Sequence, residues 1–325
     1  MKNRYRVLVS KSLAEAGWQI LRKRDDVECV TYPATISQPD FHKILPDANA
    51  VILSLTPVRA PELAVAPKLQ VCARIGVGFD TLDIPACTAR KIPVMTVGLA
   101  NAISVAEQAF SLLFALAKRN AAHDAAVRGG SWRETLTTFP ADFGGKTVLV
   151  VGFGRIGTRF VKRAVAFEMR TLVYDPYVKP DSIKALGGEP VSDLDAAVAQ
   201  ADFITVHCPK NQETTGMFDA KRLGRMKPSA FIVNTARGGI VHEADLCAVL
   251  AAGKIAGAGI DVFEKEPCPA DHPYLKLPNV IVSPHIAGVT VESLDRMAVA
   301  AVENVLSVFD GKPNKENAVN PEVFG

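Results

Sequence analysis

An excess of charge of either sign is what this 325-residue chain most plainly lacks: 37 Lys and Arg stand against 34 Asp and Glu, a net +3. No block of like charge appears either, which argues against a nucleic-acid footprint or a polybasic membrane patch and leaves small molecules as the expected partners. Aromatic residues are sparse at 7%, yet a hydrophobic content of 48% supplies a sizeable core and excludes intrinsic disorder. The six cysteines (Cys29, Cys72, Cys87, Cys208, Cys247, Cys268) never form a C-x-x-C pair. Scattered among apolar neighbours, they read as buried reduced thiols, which fits a cytoplasmic location, and no metal site is expected. Long hydrophobic runs are missing too. The start, Met1 to Arg6, leads into an apolar run, Val7 to Val9, too brief for a signal-peptide core, and the longest apolar helical stretch, Val105 to Ala117, contains Glu107 and Gln108 and falls short of a bilayer span. No membrane partner is expected.

The length is twice the commonest domain size, so two domains are expected. From residue 5 to about 97, strand-like runs (Tyr5 to Ser10, Val51 to Leu55, Leu69 to Arg74, Val94 to Val97) alternate with helical stretches such as Leu13 to Arg24. This is the pattern of a parallel α/β module. Ala102 to Arg119 reads as a long helix with Asn101 as its N-cap. Trp132 and Phe139 follow in a Gly- and Thr-rich stretch, read as exposed and available to a partner subunit. A second series begins at Lys146, with strands at Thr147 to Val151, Thr171 to Tyr174, Phe203 to Val206, Phe231 to Asn234, Ala256 to Ile260 and Val280 to Val282. Six strands are the number of a complete dinucleotide-binding fold. A final helix, about Val291 to Gly311, is expected to pack back on the first module.

Gly152-Phe153-Gly154-Arg155-Ile156-Gly157 follows the apolar run Val148 to Val151 and opens a helical pattern from Thr158 to Phe167. Gly152 would permit the tight turn, Gly154 would let the backbone approach a pyrophosphate, and Gly157 would let helix pack on strand, with the helix N-terminus offering free N–H groups to the anion. Asp175 ends the next strand, 18 residues beyond the last glycine. A carboxylate there accepts from ribose hydroxyls and repels a 2′-phosphate, so NAD is expected over NADP.

Three further segments follow strands of the same series: Asn234 to Gly239, Asp261 to Pro267, and Ser283 to Gly288. Singly, each could be an ordinary turn. Together they offer one cation, one carboxylate and one imidazole at the sheet edge where ligands bind. Arg237 can grip a carboxylate bidentately, His285 can give a proton to a carbonyl oxygen as hydride arrives, and Glu266 can hold the imidazole.

With these residues in hand, the chain resembles the NAD-dependent D-isomer-specific 2-hydroxyacid dehydrogenase family, which includes phosphoglycerate dehydrogenase and glyoxylate/hydroxypyruvate reductase. The resemblance runs over nearly the whole chain and is strongest from Asn101-Ala102-Ile103-Ser104-Val105-Ala106-Glu107 through the glycine loop to Ser283-Pro284-His285. It implies an α/β, two-domain fold: a doubly wound Rossmann-type NAD-binding domain at 99–291, inserted in a flavodoxin-like substrate domain at 1–98 and 292–325. It implies Arg237, Glu266 and His285 as the catalytic triad. Arg74-Ile75-Gly76-Val77-Gly78-Phe79-Asp80 matches the family's substrate loop, so Gly76, Val77 and Gly78 are expected to meet the substrate carboxylate. Arg155 and Ile156 match the pyrophosphate-facing pair, His207, Cys208 and Pro209 the adenosine-side loop, Thr235 and Ala236 the nicotinamide-ribose end, Asp261 the nicotinamide contact; Thr214 is a further cofactor match. A homodimer is implied as well. The expected activity is hydride transfer between NAD(H) and a small D-2-hydroxy acid or 2-oxo acid, with 3-phosphoglycerate and hydroxypyruvate or glyoxylate the leading substrates. The alternative is an NAD-sensing, corepressor-like binding protein on the same fold. Arg59, Arg74 and Lys91 are the cations available to a phosphorylated substrate.

Overall fold

The computed structural model describes residues 5–325; Met1 to Arg4, part of the leading segment read above for targeting, lie outside the described residues. Two compact units emerge, one taking the chain up to Asn101 together with Val289–Gly325, the other spanning Ala102–Gly288. The junctions fall three residues from the expected ones.

In the first unit, strands β1 (Tyr5–Ser10), β2 (Val27–Tyr32), β3 (Ala50–Leu53), β4 (Val71–Arg74) and β5 (Val94–Met95) alternate with helices α1 (Glu15–Leu21), α2 (Gln38–Ile44), α3 (Ala60–Ala64) and α4 (Ile84–Ala89). The sheet is parallel in the order β2-β1-β3-β4-β5, the flavodoxin-like arrangement. Strand alternation divides the core. Val7, Val9 and Ile52 face one layer, while Leu8, Val51 and Leu53 pack with Phe41, Leu45 and Leu63 on the other.

The second unit holds α5 (Ala102–Ala117), α6 (Asn120–Arg128), β6 (Thr147–Val151), α7 (Gly157–Ala166), β7 (Arg170–Tyr174), α8 (Pro180–Lys184), β8 (Glu189–Pro190), α9 (Leu194–Gln200), β9 (Phe203–Val206), α10 (Ala220–Leu223), β10 (Phe231–Asn234), α11 (Glu243–Ala251), β11 (Gly257–Ile260) and β12 (Val280–Val282). The chain then returns to the first unit as α12 (Val291–Phe309), whose Met297, Ala301 and Val305 cover the Val7 face of that sheet. The second sheet is also parallel, in the order β12-β11-β10-β9-β6-β7-β8. It winds outward from β6 through β7 and β8, then restarts at β9 on the other side of β6. That reversal puts the topological switch point at the carboxyl ends of β6 and β9, the place where open α/β sheets bind ligands.

Several expectations need correction. The second sheet has seven strands, not six, because the two-residue β8 pairs with the edge of β7; Pro190 suits only an edge, since it cannot donate to a ladder. The first sheet gains β2, whose Glu28 interrupts an apolar reading and which also stands at an edge. Helix α1 is seven residues long where Leu13 to Arg24 was expected. Asn101 precedes α5 but does not cap it: its side-chain oxygen is buried with no hydrogen-bond partner among the described residues. Of the six thiols, all free, only Cys72 and Cys87 are buried; Cys29 is exposed on β2, and Cys208, Cys247 and Cys268 are half-buried.

Candidate active site

Strand β6 is a run of buried aliphatic residues, and the chain must turn sharply at its end to enter α7. Gly152 does so at φ +98°, where a Cβ would stand 2.7 Å from the backbone nitrogen of Cys208. Gly157 begins α7 so close to that turn that a Cβ would fall 2.0 Å from the Gly152 oxygen. At Gly154 a Cβ would meet nothing within 4 Å, so here the glycine leaves an open backbone face above the helix N-terminus. Arg155 is exposed on this loop and Ile156 half-buried beneath it.

Asp175, at the end of β7, is half-buried, and each of its oxygens accepts from a backbone amide: Phe153 N at 2.8 Å and Tyr177 N at 3.0 Å. The first bond ties the carboxylate to the glycine loop. Phe153 thus carries a positioning role that the sequence reading did not assign, since a backbone donor leaves no mark in residue type.

Across the reversal, the loop after β9 places His207 in a buried position. Its Nε2 lies 2.9 Å from Thr205 Oγ1, its Nδ1 has no hydrogen-bond partner among the described residues, and burial pushes its pKa down to about 3, so the ring is neutral. Burial likewise pushes the Cys208 thiol up to about 11. Thr214 turns its hydroxyl into its own loop, donating to Pro209 O at 2.6 Å and accepting from Asn211 N at 2.8 Å. At the end of β10, Thr235 is buried and its hydroxyl also lacks a partner among the described residues.

The open glycine face, the anchored carboxylate and two orphaned buried polar atoms match the donor and acceptor set of a dinucleotide, whose pyrophosphate, ribose and ring edges would satisfy them. The residues present fit NAD.

The remaining groups emerge from β10, β11 and β12, which register Asn234 with Ile260 and Ile260 with Val282, so the three following loops start level at one sheet edge. Asn234 folds the first of them, accepting from Ala236 N at 3.0 Å and donating to Arg237 O at 2.9 Å. An Asn at a strand end is the signal that could have found it. Arg237 is half-buried, with Nη1 on Ala236 O at 2.8 Å. A Cβ on Gly238 would fall 2.0 Å from Phe263 C and O, so the loops after β10 and β11 touch backbone to backbone.

Asp261 is fully buried and organises the third loop. Its Oδ1 accepts from Ser283 Oγ at 2.5 Å and Ile286 N at 3.0 Å, its Oδ2 from Ala287 N at 2.9 Å, and its carbonyl from His285 N at 2.8 Å. These bonds hold His285 at φ +54°, a left-handed conformation that costs a non-glycine residue on the order of 1 kcal/mol or more. Glu266 is anchored in turn by Phe263 N at 3.0 Å, and its other oxygen lies 2.6 Å from His285 Nδ1. Both side chains remain accessible to solvent. A carboxylate on Nδ1 leaves Nε2 as the ring nitrogen free to exchange a proton with a ligand.

Residues 110–287 match the family model described as D-isomer specific 2-hydroxyacid dehydrogenase, NAD binding domain. The D-3-phosphoglycerate dehydrogenase of Mycobacterium bovis is 42% identical over 327 residues, covering 98% of this chain and 60% of that one. The chain therefore spans about three fifths of that relative's length. The glyoxylate reductase of Korarchaeum cryptofilum is 37% identical over 98% of this chain and 96% of its own. Among solved structures, D-lactate dehydrogenase from Aquifex aeolicus, in complex with NAD and lactic acid, superposes with a TM-score of 0.85 at 27% identity, covering 98% of this chain and 99% of that one. The chain belongs to the D-isomer specific 2-hydroxyacid dehydrogenase family, with an NAD-binding domain at residues 110–287.

Proposed function

We propose that this chain is an NAD-dependent D-2-hydroxyacid dehydrogenase, interconverting a small 2-oxo acid and its D-2-hydroxy acid. The observation that carries the reading is the 2.6 Å contact of His285 with Glu266 at the carboxyl edge of the sheet that bears the glycine loop. NAD supplies or takes up the hydride when bound. The protein's part is to orient and to move one proton. Arg237 grips the substrate carboxylate, fixing which carbon is presented. His285 Nε2 protonates the carbonyl oxygen during reduction and removes the hydroxyl proton in the reverse direction. Glu266 holds the ring in place through its bond to Nδ1, and Asp261 keeps the loop in place.

Gly152, Gly154, Arg155, Ile156 and Gly157 would hold the pyrophosphate, and Asp175 the adenine ribose. His207, Cys208 and Pro209 would line the adenosine side, and Thr235, Ala236 and Asp261 the nicotinamide side. Thr214 serves this site by bracing its loop. In the first unit, Gly76, Val77 and Gly78 form the substrate-facing loop, which makes that unit the substrate domain. The relatives carry enzyme names, which favours a dehydrogenase over an NAD-sensing corepressor. Oxidation of NADH by a panel of 2-oxo acids tests the reading. His285→Ala should lower turnover by about 10² to 10⁴ while NAD affinity holds; an active His285→Ala enzyme would reject the assignment.

The chain is further proposed to act in the cytoplasm as a homodimer. Trp132 and Phe139 are 63% and 73% exposed, and beside Trp132 lies an apolar hollow of about 210 Å³ lined by His123, Val127 and Leu136. An exposed tryptophan at an apolar hollow suits burial against a second copy, as does an exposed phenylalanine further along the same segment. Sedimentation should give a dimer that Trp132→Glu dissociates.

A further inference from the structure

Glu266 stands on the irregular segment that leaves β11, Asp261 to His272, where neither a ladder nor a helix fixes the backbone. A carboxylate held 2.6 Å from a ring nitrogen needs its own backbone held, so bonds from outside the segment set its position. Resting on the dehydrogenase reading, we propose that Glu243 is a positioning residue for the reaction: with His272 it clamps the Phe263–Glu264 backbone from which Glu266 reaches His285.

Glu243 opens α11, and its side chain is only 16% exposed. Its Oε1 accepts from Glu264 N at 2.6 Å. In return Glu264 Oε1 accepts at 3.4 Å from Glu243 N, a donor at the helix start that has no acceptor within the helix. These two bonds lace the first turn of α11 to the segment two residues before Glu266. The other oxygen of Glu243, Oε2, lies 3.1 Å from His272 Nε2. Because His272 Nδ1 accepts from Tyr274 N at 3.3 Å, the ring's proton sits on Nε2 and is donated to Glu243.

His272 also stands edge-on to Phe263, with ring centroids 5.6 Å apart at 76°. Phe263 is buried, and its amide is the donor that holds Glu266 Oε1. Two consecutive residues are therefore gripped, Phe263 by its ring and Glu264 by its amide, and they carry Glu266 to His285. Both Glu243 oxygens are engaged by Glu264 and His272, so the effect of Glu243 on the reaction passes through Glu266.

The test is steady-state kinetics of the full chain with NADH and whichever of glyoxylate, hydroxypyruvate and 3-phosphohydroxypyruvate it reduces fastest. Glu243→Ala should lower kcat about 10- to 10²-fold, the scale of a small misplacement at a reacting centre, while KM and NAD affinity stay within about twofold. Glu243→Gln, which keeps an oxygen for Glu264 N, should hold kcat within about threefold of wild type. Added to Glu266→Ala, Glu243→Ala should lower kcat no further, since the group it positions is gone. Losses that multiply in the double variant would overturn the inference and leave the dehydrogenase reading intact. So would an unaltered kcat in Glu243→Ala, or a Glu243→Gln enzyme as slow as Glu243→Ala. If Glu243→Ala does not fold, Glu243→Asp takes its place in the same cycle, with the same expected loss and the same refutations: it keeps the charge at the helix start but draws the carboxylate back from Glu264 N. A wild-type chain that reduces none of the three acids, nor any other 2-oxo acid, would bring down the dehydrogenase reading and this inference with it.

Discussion

Replacing His207 with Gln should flatten the acid side of the stability curve. In the folded chain burial holds this ring near pKa 3, whereas an unfolded histidine titrates near 6.5. Between those values the unfolded state binds the extra proton, so stability rises with pH; the contribution is nearly complete above 6.5 and is lost as pH falls toward 3. From pH 7 to pH 5 one such group removes about 2 kcal/mol, a figure that depends little on the folded value so long as it lies well below 5. Gln cannot take the charge but can still reach Thr205, the ring's hydrogen-bond partner. Urea denaturation followed by far-UV circular dichroism at pH 7 and pH 5 measures the effect. The wild-type chain should lose about 2 kcal/mol more than the variant over that interval. Equal losses would mean that the ring is hydrated or protonated in the folded state, and would undo its description as a neutral buried group.

Asp175→Ser should raise the NADP-to-NAD ratio of kcat/KM at least about tenfold, about 1.4 kcal/mol, by removing a charge that repels a 2′-phosphate; an unchanged ratio would place the selecting group elsewhere. Asp261→Asn exchanges an acceptor oxygen for an amide among three donors, Ser283 Oγ, Ile286 N and Ala287 N. A cost of about 2–3 kcal/mol in stability is expected, with turnover falling further than NAD affinity because His285 loses its fixed backbone. Native-like melting together with full turnover would refute that role.

What the sequence made legible was whatever leaves a mark in residue type. The glycine spacing, the apolar runs of β6 and β10, and the pairing of Glu266 with His285 were readable, because each depends on a residue that few others could replace. Less visible were features that backbone geometry decides. The edge strand β2 hides behind Glu28, whose outward position tolerates charge, and β8 is two residues long with a proline, held by its neighbour instead of by its own propensity. In the site, Asp261 could be matched to a ligand contact, yet its bonds to Ser283, Ile286 and Ala287 show that its carboxylate first builds the loop on which His285 stands. Likewise Phe153 and Phe263 act through main-chain amides, so their side-chain identities announce nothing of the work, whereas Asn234 folds its loop with its own side chain and does leave a mark at the strand end. The division has a physical origin. A group that exchanges a proton or grips a carboxylate must be of one chemical kind, whereas the group that positions it need only present an N–H in the right place, which nearly every residue can do.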